Sequence, residues 1–138
     1  MIYSKQQLTE VHERILPYIH KTPVLSSGLL NAKAQCELYF KCENFQKIGA
    51  FKIRGGMNAS LQLSAEQLSK GVATHSSGNH ALSLSYAAGR RGIPCNVVMP
   101  RTAPQAKKDA VRGYGGRVVE CEPSTSSREA VFAEVLRN

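Results

Sequence analysis

The fold is decided by residues 72–99, which read VATHSSGNHALSLSYAAGRRGIPCNVVM. Short apolar runs at 72–75 and 93–99 predict two strands, the second of them rich in β-branched residues. Between them, residues 79–91 are typical of a helix, and Gly92 is a suitable residue to end it. Strand, helix and strand in this order form a βαβ unit, so the two strands are expected to lie parallel in one sheet.

The alternation of helices and strands continues downstream of this unit. Thr102 and Gln105 have the spacing of a capping box and predict a helix that runs to about residue 112. A strand is predicted at 117–122, and Ser126 with Glu129 is expected to cap a last helix that runs through residue 136.

Upstream, the pattern is less regular. Ser64 with Gln67 predicts a further capping box, at the start of a short helix that Gly71 closes. The other predicted elements are a helix at 4–19, an extended stretch and turn at 24–30, a strand at 36–42, a loop at 43–50 and a helix at 52–63. Strands that alternate with helices predict an α/β fold, with a parallel sheet flanked by helices.

The composition limits the classes of protein to which the chain can belong. A hydrophobic fraction of 42% and a charged fraction of 20% over 138 residues exclude a disordered chain and fit one domain. No apolar run is long enough to span a bilayer and no secretory signal is visible, so a cytoplasmic protein without a membrane partner is expected. The net charge of +8 indicates an anionic partner.

The cysteines are scattered and show no spacing typical of a zinc site. They are Cys36, Cys42, Cys95 and Cys121, without a CxxC pair or neighbouring histidine pairs. We therefore expect reduced cysteines and no metal site.

Lys52 lies in the first of two segments that carry more chemistry than a structural loop needs. It follows a glycine-containing loop and opens a helix, in the run GAFKIRGG at 49–56. Lysine becomes nucleophilic where burial or a neighbouring cation destabilises its ammonium group, and Arg54 is a candidate neighbour. The alternative is an ordinary solvated lysine on a helix.

The second segment is THSSGNH at 74–80, where a strand passes through small polar residues into a helix. Parallel sheets bind ligands at the carboxyl ends of their strands, and free amides at a helix start favour an anion. A phosphate or a substrate carboxylate would suit this turn. An ordinary turn with a serine cap is the alternative.

Other functional motifs are absent from the sequence. It contains no GxGxxG, no GxxxxGK[ST] and no GxSxG pattern. The basic pairs at 90–91 and 107–108 are dispersed along predicted helices and do not form a stripe with aromatic residues, so no nucleic-acid partner is expected.

In these two segments the chain resembles the serine/threonine dehydratase family of pyridoxal-phosphate (PLP) enzymes, which includes threonine ammonia-lyase, serine dehydratase and serine racemase. The matching segments follow in order along nearly the whole chain: KTPVL at 21–25, KCENFQ at 41–46, GAFKIRG at 49–55, THSSGNH at 74–80, MP at 99–100, TAP at 102–104, KK at 107–108, YGG at 114–116, VV at 118–119 and SRE at 127–129. Ile48 and Ala50 are mild departures from the family pattern.

The resemblance implies a fold and a set of domains. The fold is the PLP-dependent fold type II, which is similar to the tryptophan synthase β-subunit. Residues 1–67 would be the first part of a large PLP domain, and residues 68–138 most of a small α/β domain. Family members have about twice this length or more, so the chain is expected to be an amino-terminal part that lacks the phosphate-binding loop.

The resemblance also implies roles for seven residues. Toward the cofactor, Lys52 would hold PLP as a Schiff base, Phe51 would pack near the cofactor ring, and Asn79 would hydrogen-bond its phenolic oxygen. Toward the substrate, Lys52 would remove the α-proton, Ser77 would be an acid/base on the opposite face, and Arg128 would approach the substrate. The substrate carboxylate would be held by Ser76, Ser77, Asn79 and His80.

The implied reaction is the deamination of L-threonine or L-serine to a 2-oxo acid and ammonia. Two alternatives stay open: serine racemisation, with which Ser77 is compatible, and an inactive fragment. The implied partner is a small amino acid, and the longer polypeptide is expected to be a homodimer or a homotetramer. The carboxylate of the amino acid and the phosphate of the cofactor are small anions that would account for the excess of basic residues.

Overall fold

The computed structural model of the chain describes residues 3–137. The first helix, α1 (Lys5–Ile15), begins at Ser4, whose hydroxyl accepts from the backbone N–H of Gln7 while the Gln7 side chain accepts from the Ser4 N–H. The predicted helix to residue 19 is shorter in the structure. Pro17 falls in a 3₁₀ turn that follows α1, because its nitrogen has no hydrogen to donate to the helix ladder.

Residues 24–42 differ most from the sequence prediction. Strand β1 (Val24–Leu25) pairs antiparallel with β2 (Phe40–Lys41), and the helix α2 (Gly28–Ala34) lies between them. The extended stretch predicted at 24–30 is thus wrong beyond β1, because the Ser27 hydroxyl caps a helix there. The strand predicted at 36–42 is reduced to two residues, since β1 offers only two residues with which to pair.

The predicted loop at 43–50 consists of two 3₁₀ turns. Ile48 and Gly49 have φ angles of 62° and 68°, which place a β-branched residue in the left-handed region. The chain then enters α3 (Lys52–Leu61), and α4 (Ala65–Lys70) follows with the predicted capping box and the predicted glycine end.

The remaining residues form a parallel three-stranded sheet with connecting helices. The elements are β3 (Val72–His75), α5 (Asn79–Arg91), β4 (Cys95–Pro100), α6 (Gln105–Gly113), β5 (Arg117–Cys121) and α7 (Thr125–Arg137). The strand order is β3-β4-β5, and both pairings are parallel. The predicted α/β fold is confirmed, with β3 and α5 at the predicted bounds.

Side chains of the central strand alternate between two helical layers. Cys95, Val97 and Met99 belong to a core that contains residues of α5 and α6. Asn96, with Val119 of β5, faces α7 across a cavity of about 300 Å³. The period of two along β4 therefore places α5 and α6 on one face of the sheet and α7 on the other.

Two predicted caps are wrong. The residue before α6 is Pro104 and no side chain caps that helix, while the Gln105 amide donates to Asp109 and makes no capping bond with Thr102. At α7 the capping hydroxyl belongs to Ser124, which accepts from the N–H of Ser127. Serine occupies 124, 126 and 127, so local spacing alone did not identify the capping residue.

The helices α3 and α5 pack at very short range. An alanine Cβ at Gly56 would lie 2.1 Å from the Ser83 hydroxyl oxygen and 3.1 Å from the Ser83 carbonyl oxygen. That hydroxyl is fully buried and donates to the backbone carbonyl of Lys52 at 2.7 Å. A glycine on α3 and a small polar residue on α5 thus hold the start of α3 against α5.

An ion pair fastens the loop before α3 to the helix itself. The Arg54 guanidinium donates to both carboxylate oxygens of Glu43, at 2.8 Å and 2.7 Å, and the Thr22 hydroxyl donates to the same carboxylate at 2.6 Å. The Arg54 hydrogen bonds lower the pKa of Glu43 to about 2. Because the pair is largely buried and bidentate, it stabilises more than a surface ion pair.

No helix within residues 3–137 is both long and apolar enough to cross a membrane.

The adjacent glycines of α3 provide a matched test of this packing. Gly56→Ala is expected to lower the free energy of unfolding by about 1–3 kcal/mol, because the new methyl group overlaps Ser83. Gly55→Ala has open space around its Cβ and is expected to raise it by about 0.5–1 kcal/mol through helix propensity. Urea unfolding of both variants measures the difference, and equal effects would contradict the packing described.

The Glu43–Arg54 pair should make stability depend on pH. A carboxyl group whose pKa falls on folding stabilises the native state above its unfolded pKa of about 4.5, and this contribution is lost as the pH falls toward 2. Glu43→Gln is expected to cost about 2 kcal/mol at pH 7 and progressively less between pH 4.5 and pH 2. Urea unfolding across this range is the measurement. A cost that does not change with pH would show that the Glu43 charge is not the source.

Candidate active site

The first residue of the candidate site is Lys52, at the start of α3. Its side chain is exposed, and its Nζ lies 5.4 Å from the centre of the Phe51 ring, which is also exposed. The backbone is held firmly, because the Lys52 carbonyl accepts from Ser83, the fifth residue of α5. This bond brings the beginning of α3 beside the first turns of α5.

The serine loop at 76–78 connects the carboxyl end of β3 to α5. Its backbone is shaped by Ser76, whose hydroxyl accepts from the N–H of Gly78 at 3.3 Å. The adjacent Ser77 is half-buried, and within residues 3–137 its hydroxyl makes no hydrogen bond. The two serines therefore differ: the Ser76 hydroxyl shapes the turn, and the Ser77 hydroxyl is available to a ligand.

The start of α5 offers donors for an anion. The residue before the helix is Gly78, and no side chain caps the first-turn N–H groups. Asn79 and His80 are exposed in this turn. The Asn79 Oδ1 accepts from Lys107 of α6 at 3.4 Å, so the Asn79 side chain keeps its NH₂ group for a ligand oxygen.

Arg128 also lies at the carboxyl edge of the sheet, but beside β4 and β5, whereas the serine loop follows β3. It lines a cavity of about 120 Å³ beside the ends of β4 and β5, and its guanidinium contacts the Thr125 hydroxyl at 3.4 Å. The aromatic contact of α7 at this edge is made by Phe132, whose ring meets the ring of His75, the last residue of β3, edge-on at 4.8 Å. Phe132 follows Arg128 by four residues, so both lie on one face of α7.

Arg54 does not act as the free cation that the sequence suggested beside Lys52. Its charge is balanced by Glu43, to which the guanidinium makes two hydrogen bonds. Among residues 3–137, no group of three or more histidine, cysteine, aspartate or glutamate side chains is placed to hold a metal ion.

The donor set fits pyridoxal phosphate. The aldehyde of this cofactor needs a primary amine, and the side chain of Lys52 is exposed and takes part in none of the ion pairs found in residues 3–137. Its ring oxygen needs a donor, which the Asn79 amide can supply. A carboxylate or phosphate group needs N–H donors, which the uncapped start of α5 supplies.

Sequence reasoning missed three residues of this region: Ser83, Lys107 and Phe132. The pairing of a glycine in α3 with small residues in α5 was a weak signal for the Ser83 contact. Lys107 and Phe132 are ordinary helix residues in the sequence, and only the packing of α6 on α5 and of α7 on β3 gives them contacts with the site.

The chain is similar in sequence and in structure to known proteins. The chain is 64% identical over 134 residues to the beta-hydroxyaspartate dehydratase of Paracoccus denitrificans, a match that covers 97% of this chain and 42% of that protein. It is 55% identical over 130 residues to the serine racemase of Arabidopsis thaliana, covering 94% of this chain and 39% of that protein. The crystal structure of the T.th. threonine deaminase matches with a TM-score of 0.85 and 39% identity, over 98% of this chain and 42% of that one.

The chain spans about two-fifths of the length of these relatives. The similar solved structures have the expected PLP-dependent fold type II. Residues 15–138 match the family model described as pyridoxal-phosphate dependent enzyme. The chain therefore belongs to the family of pyridoxal-phosphate dependent enzymes, and its cofactor is pyridoxal phosphate.

Proposed function

We propose that the polypeptide containing this chain removes water from a β-hydroxy-α-amino acid and releases a 2-oxo acid and ammonia. The observation that carries the proposal is the bond from Ser83 to the Lys52 carbonyl, which fixes the start of α3, where the exposed Lys52 begins the helix, against α5, whose uncapped start follows the serine loop. Amine and anion donors are the groups that a PLP-bound amino acid requires.

The substrates we propose are L-serine, L-threonine and β-hydroxyaspartate. All three carry a hydroxyl group on the β-carbon, and the named activities of the relatives, a dehydratase and a threonine deaminase, support this class. The reaction needs no external oxidant. The α-proton and the β-hydroxide leave as water, and water added to the released enamine, through its imine form, frees ammonia and the 2-oxo acid.

Lys52 is proposed to move the proton. Its amine lies on the flexible end of a side chain whose backbone is fixed by Ser83, so the amine can exchange between holding the cofactor and accepting the α-proton. When bound, PLP supplies the electron sink that makes this proton acidic. Phe51, which is adjacent to Lys52 and exposed, is proposed to pack against the cofactor ring.

The serine loop and α5 are proposed to orient the substrate. Backbone N–H groups at the uncapped start of α5 are proposed to hold the α-carboxylate through charge-assisted hydrogen bonds, with the side chains of Ser77, Asn79 and His80 around them. Arg128 is proposed to approach the substrate from α7, from the cavity beside the ends of β4 and β5.

Racemisation of serine is a second candidate function. It is favoured by the Ser77 hydroxyl, which makes no hydrogen bond within residues 3–137, unlike that of Ser76. A racemase needs a second acid/base on the face of the substrate opposite the lysine, and an unengaged hydroxyl beside the substrate can take this part. Relatives named serine racemase at 55% identity support the same candidate.

The role of Lys52 can be tested on the full-length polypeptide loaded with PLP. Borohydride reduction followed by mass spectrometry should find the cofactor on the peptide that contains Lys52. Lys52→Ala should abolish the visible absorption of the bound cofactor and lower the release of 2-oxo acid by about 10²- to 10⁴-fold. Lys33→Ala, on the exposed surface of α2, is the matched control. Cofactor attached to another lysine would contradict the assignment.

Ser77 separates the two candidate reactions. Ser77→Ala removes the proposed second acid/base but leaves Lys52, so D-serine formation should fall by about 10²-fold or more while elimination stays within about tenfold. The measurement is the ratio of D-serine to 2-oxo acid produced from L-serine. Wild-type enzyme that forms no D-serine rules out the racemase, and loss of both products in equal measure would contradict the separate role of Ser77.

A further inference from the structure

We propose that Lys107 binds a second carboxylate of the substrate and so makes the site selective for dicarboxylic β-hydroxy-α-amino acids such as β-hydroxyaspartate. The inference rests on the proposed function and adds to it a residue that discriminates between substrates. It starts from the hydrogen bond of 3.4 Å from the Lys107 Nζ to the Asn79 Oδ1, which brings an ammonium group of α6 to the first turn of α5.

The charge of Lys107 is not used within the fold. The ion pairs found in residues 3–137 do not include Lys107, and an ammonium has three N–H donors, of which one reaches Asn79. Its neighbour Lys108 differs in both burial and pairing. Lys108 is buried and donates to Glu120 and to the Arg101 carbonyl, both at 2.7 Å. Lys108 therefore stabilises the fold, and Lys107 retains donors for a ligand.

The position of Lys107 opposes local helix stability. It is the third residue of α6, and the positive end of a helix dipole disfavours a cation in the first turn. The first turns of α5 and α6 contain no acidic residue that would compensate. A half-buried cation in this place is explained by an anion that it binds.

A dicarboxylic substrate supplies that anion. The first carboxylate has its donors in the backbone N–H groups at the uncapped start of α5, and Lys107 bonds to none of these groups but to the Asn79 side chain. Lys107 reaches the same turn from the neighbouring helix, so it presents a second, separate positive group at the edge of the site. Serine and threonine have no second carboxylate, so they cannot bind the Lys107 ammonium group in this way.

The first test compares substrates on the full-length polypeptide loaded with PLP. Lys107→Met should raise the KM for β-hydroxyaspartate by about tenfold or more, as expected for a hydrogen bond between charged groups, and change the KM for L-serine by less than about twofold. Lys107→Arg should restore most of the selectivity. Lys33→Met makes the same charge change on the exposed surface of α2 and should alter neither value.

The second test measures binding without turnover. Succinate and butyrate have the same number of carbon atoms but two carboxylates and one, and calorimetric titration gives the affinity of each. Lys107→Met should weaken succinate binding by about tenfold and leave butyrate binding within about twofold.

The outcomes distinguish this inference from the proposed function. A wild-type enzyme that releases no 2-oxo acid from any of the three substrates overturns the proposed function, and the succinate measurement still tests Lys107. Equal losses with β-hydroxyaspartate and serine would mean that Lys107 acts only by orienting Asn79, and they would overturn the proposed selectivity, as would succinate binding that Lys107→Met leaves unchanged.

Discussion

The hydrogen bond from the buried Ser83 hydroxyl to the Lys52 carbonyl is the interaction on which the rest of the site depends. It forms only because Gly56 has no side chain, which allows α3 and α5 to approach until a Cβ would overlap Ser83. Because α5 packs against the parallel sheet, this contact fixes the start of α3 relative to that sheet. A helix that is remote in sequence thus becomes part of the same site as the loop after β3.

The charged side chains of this chain have two different roles, to stabilise the fold in ion pairs and to bind small ligands. Glu43 with Arg54 and Glu120 with Lys108 are paired charges that hold loops and helices in place, and both carboxyl groups have a lowered pKa because of their cationic partners. Lys52 and Lys107 make no such pair among the ion pairs of residues 3–137. They lie at the starts of α3 and α6, the latter at the carboxyl edge of the parallel sheet, where helix dipoles already favour anions. The net positive charge of the chain is therefore partly structural and partly available to small anionic ligands.

Elements with a strong local signal were predicted well. The strand at 72–75, the helix at 79–91 and the capping box at Ser64 were found as predicted, because a short apolar run, an end glycine or a capping side chain marked each of them locally. The helix α2 and the caps of α6 and α7 were not, since each has several serine, threonine or proline residues that compete for one local role. The site residues that the family resemblance implies lie in three places: at the start of α3, at the start of α5 with the loop before it, and on α7. The contacts that join these segments had at most a weak sequence signal.

The sequence by itself determined the βαβ alternation and, through it, the parallel sheet, and it also determined the lysine at a helix start and the polar turn after β3. The signal for each of these elements comes from neighbours within a few residues. Only the tertiary structure decided that Arg54 is neutralised by Glu43, that Ser76 and Ser77 have different hydrogen bonds, and that Lys107 reaches Asn79. These features follow from distances between elements that the chain brings together only on packing. Local propensity carries no information about such distances, so the assignment of charges to structure or to ligand had to come from the fold.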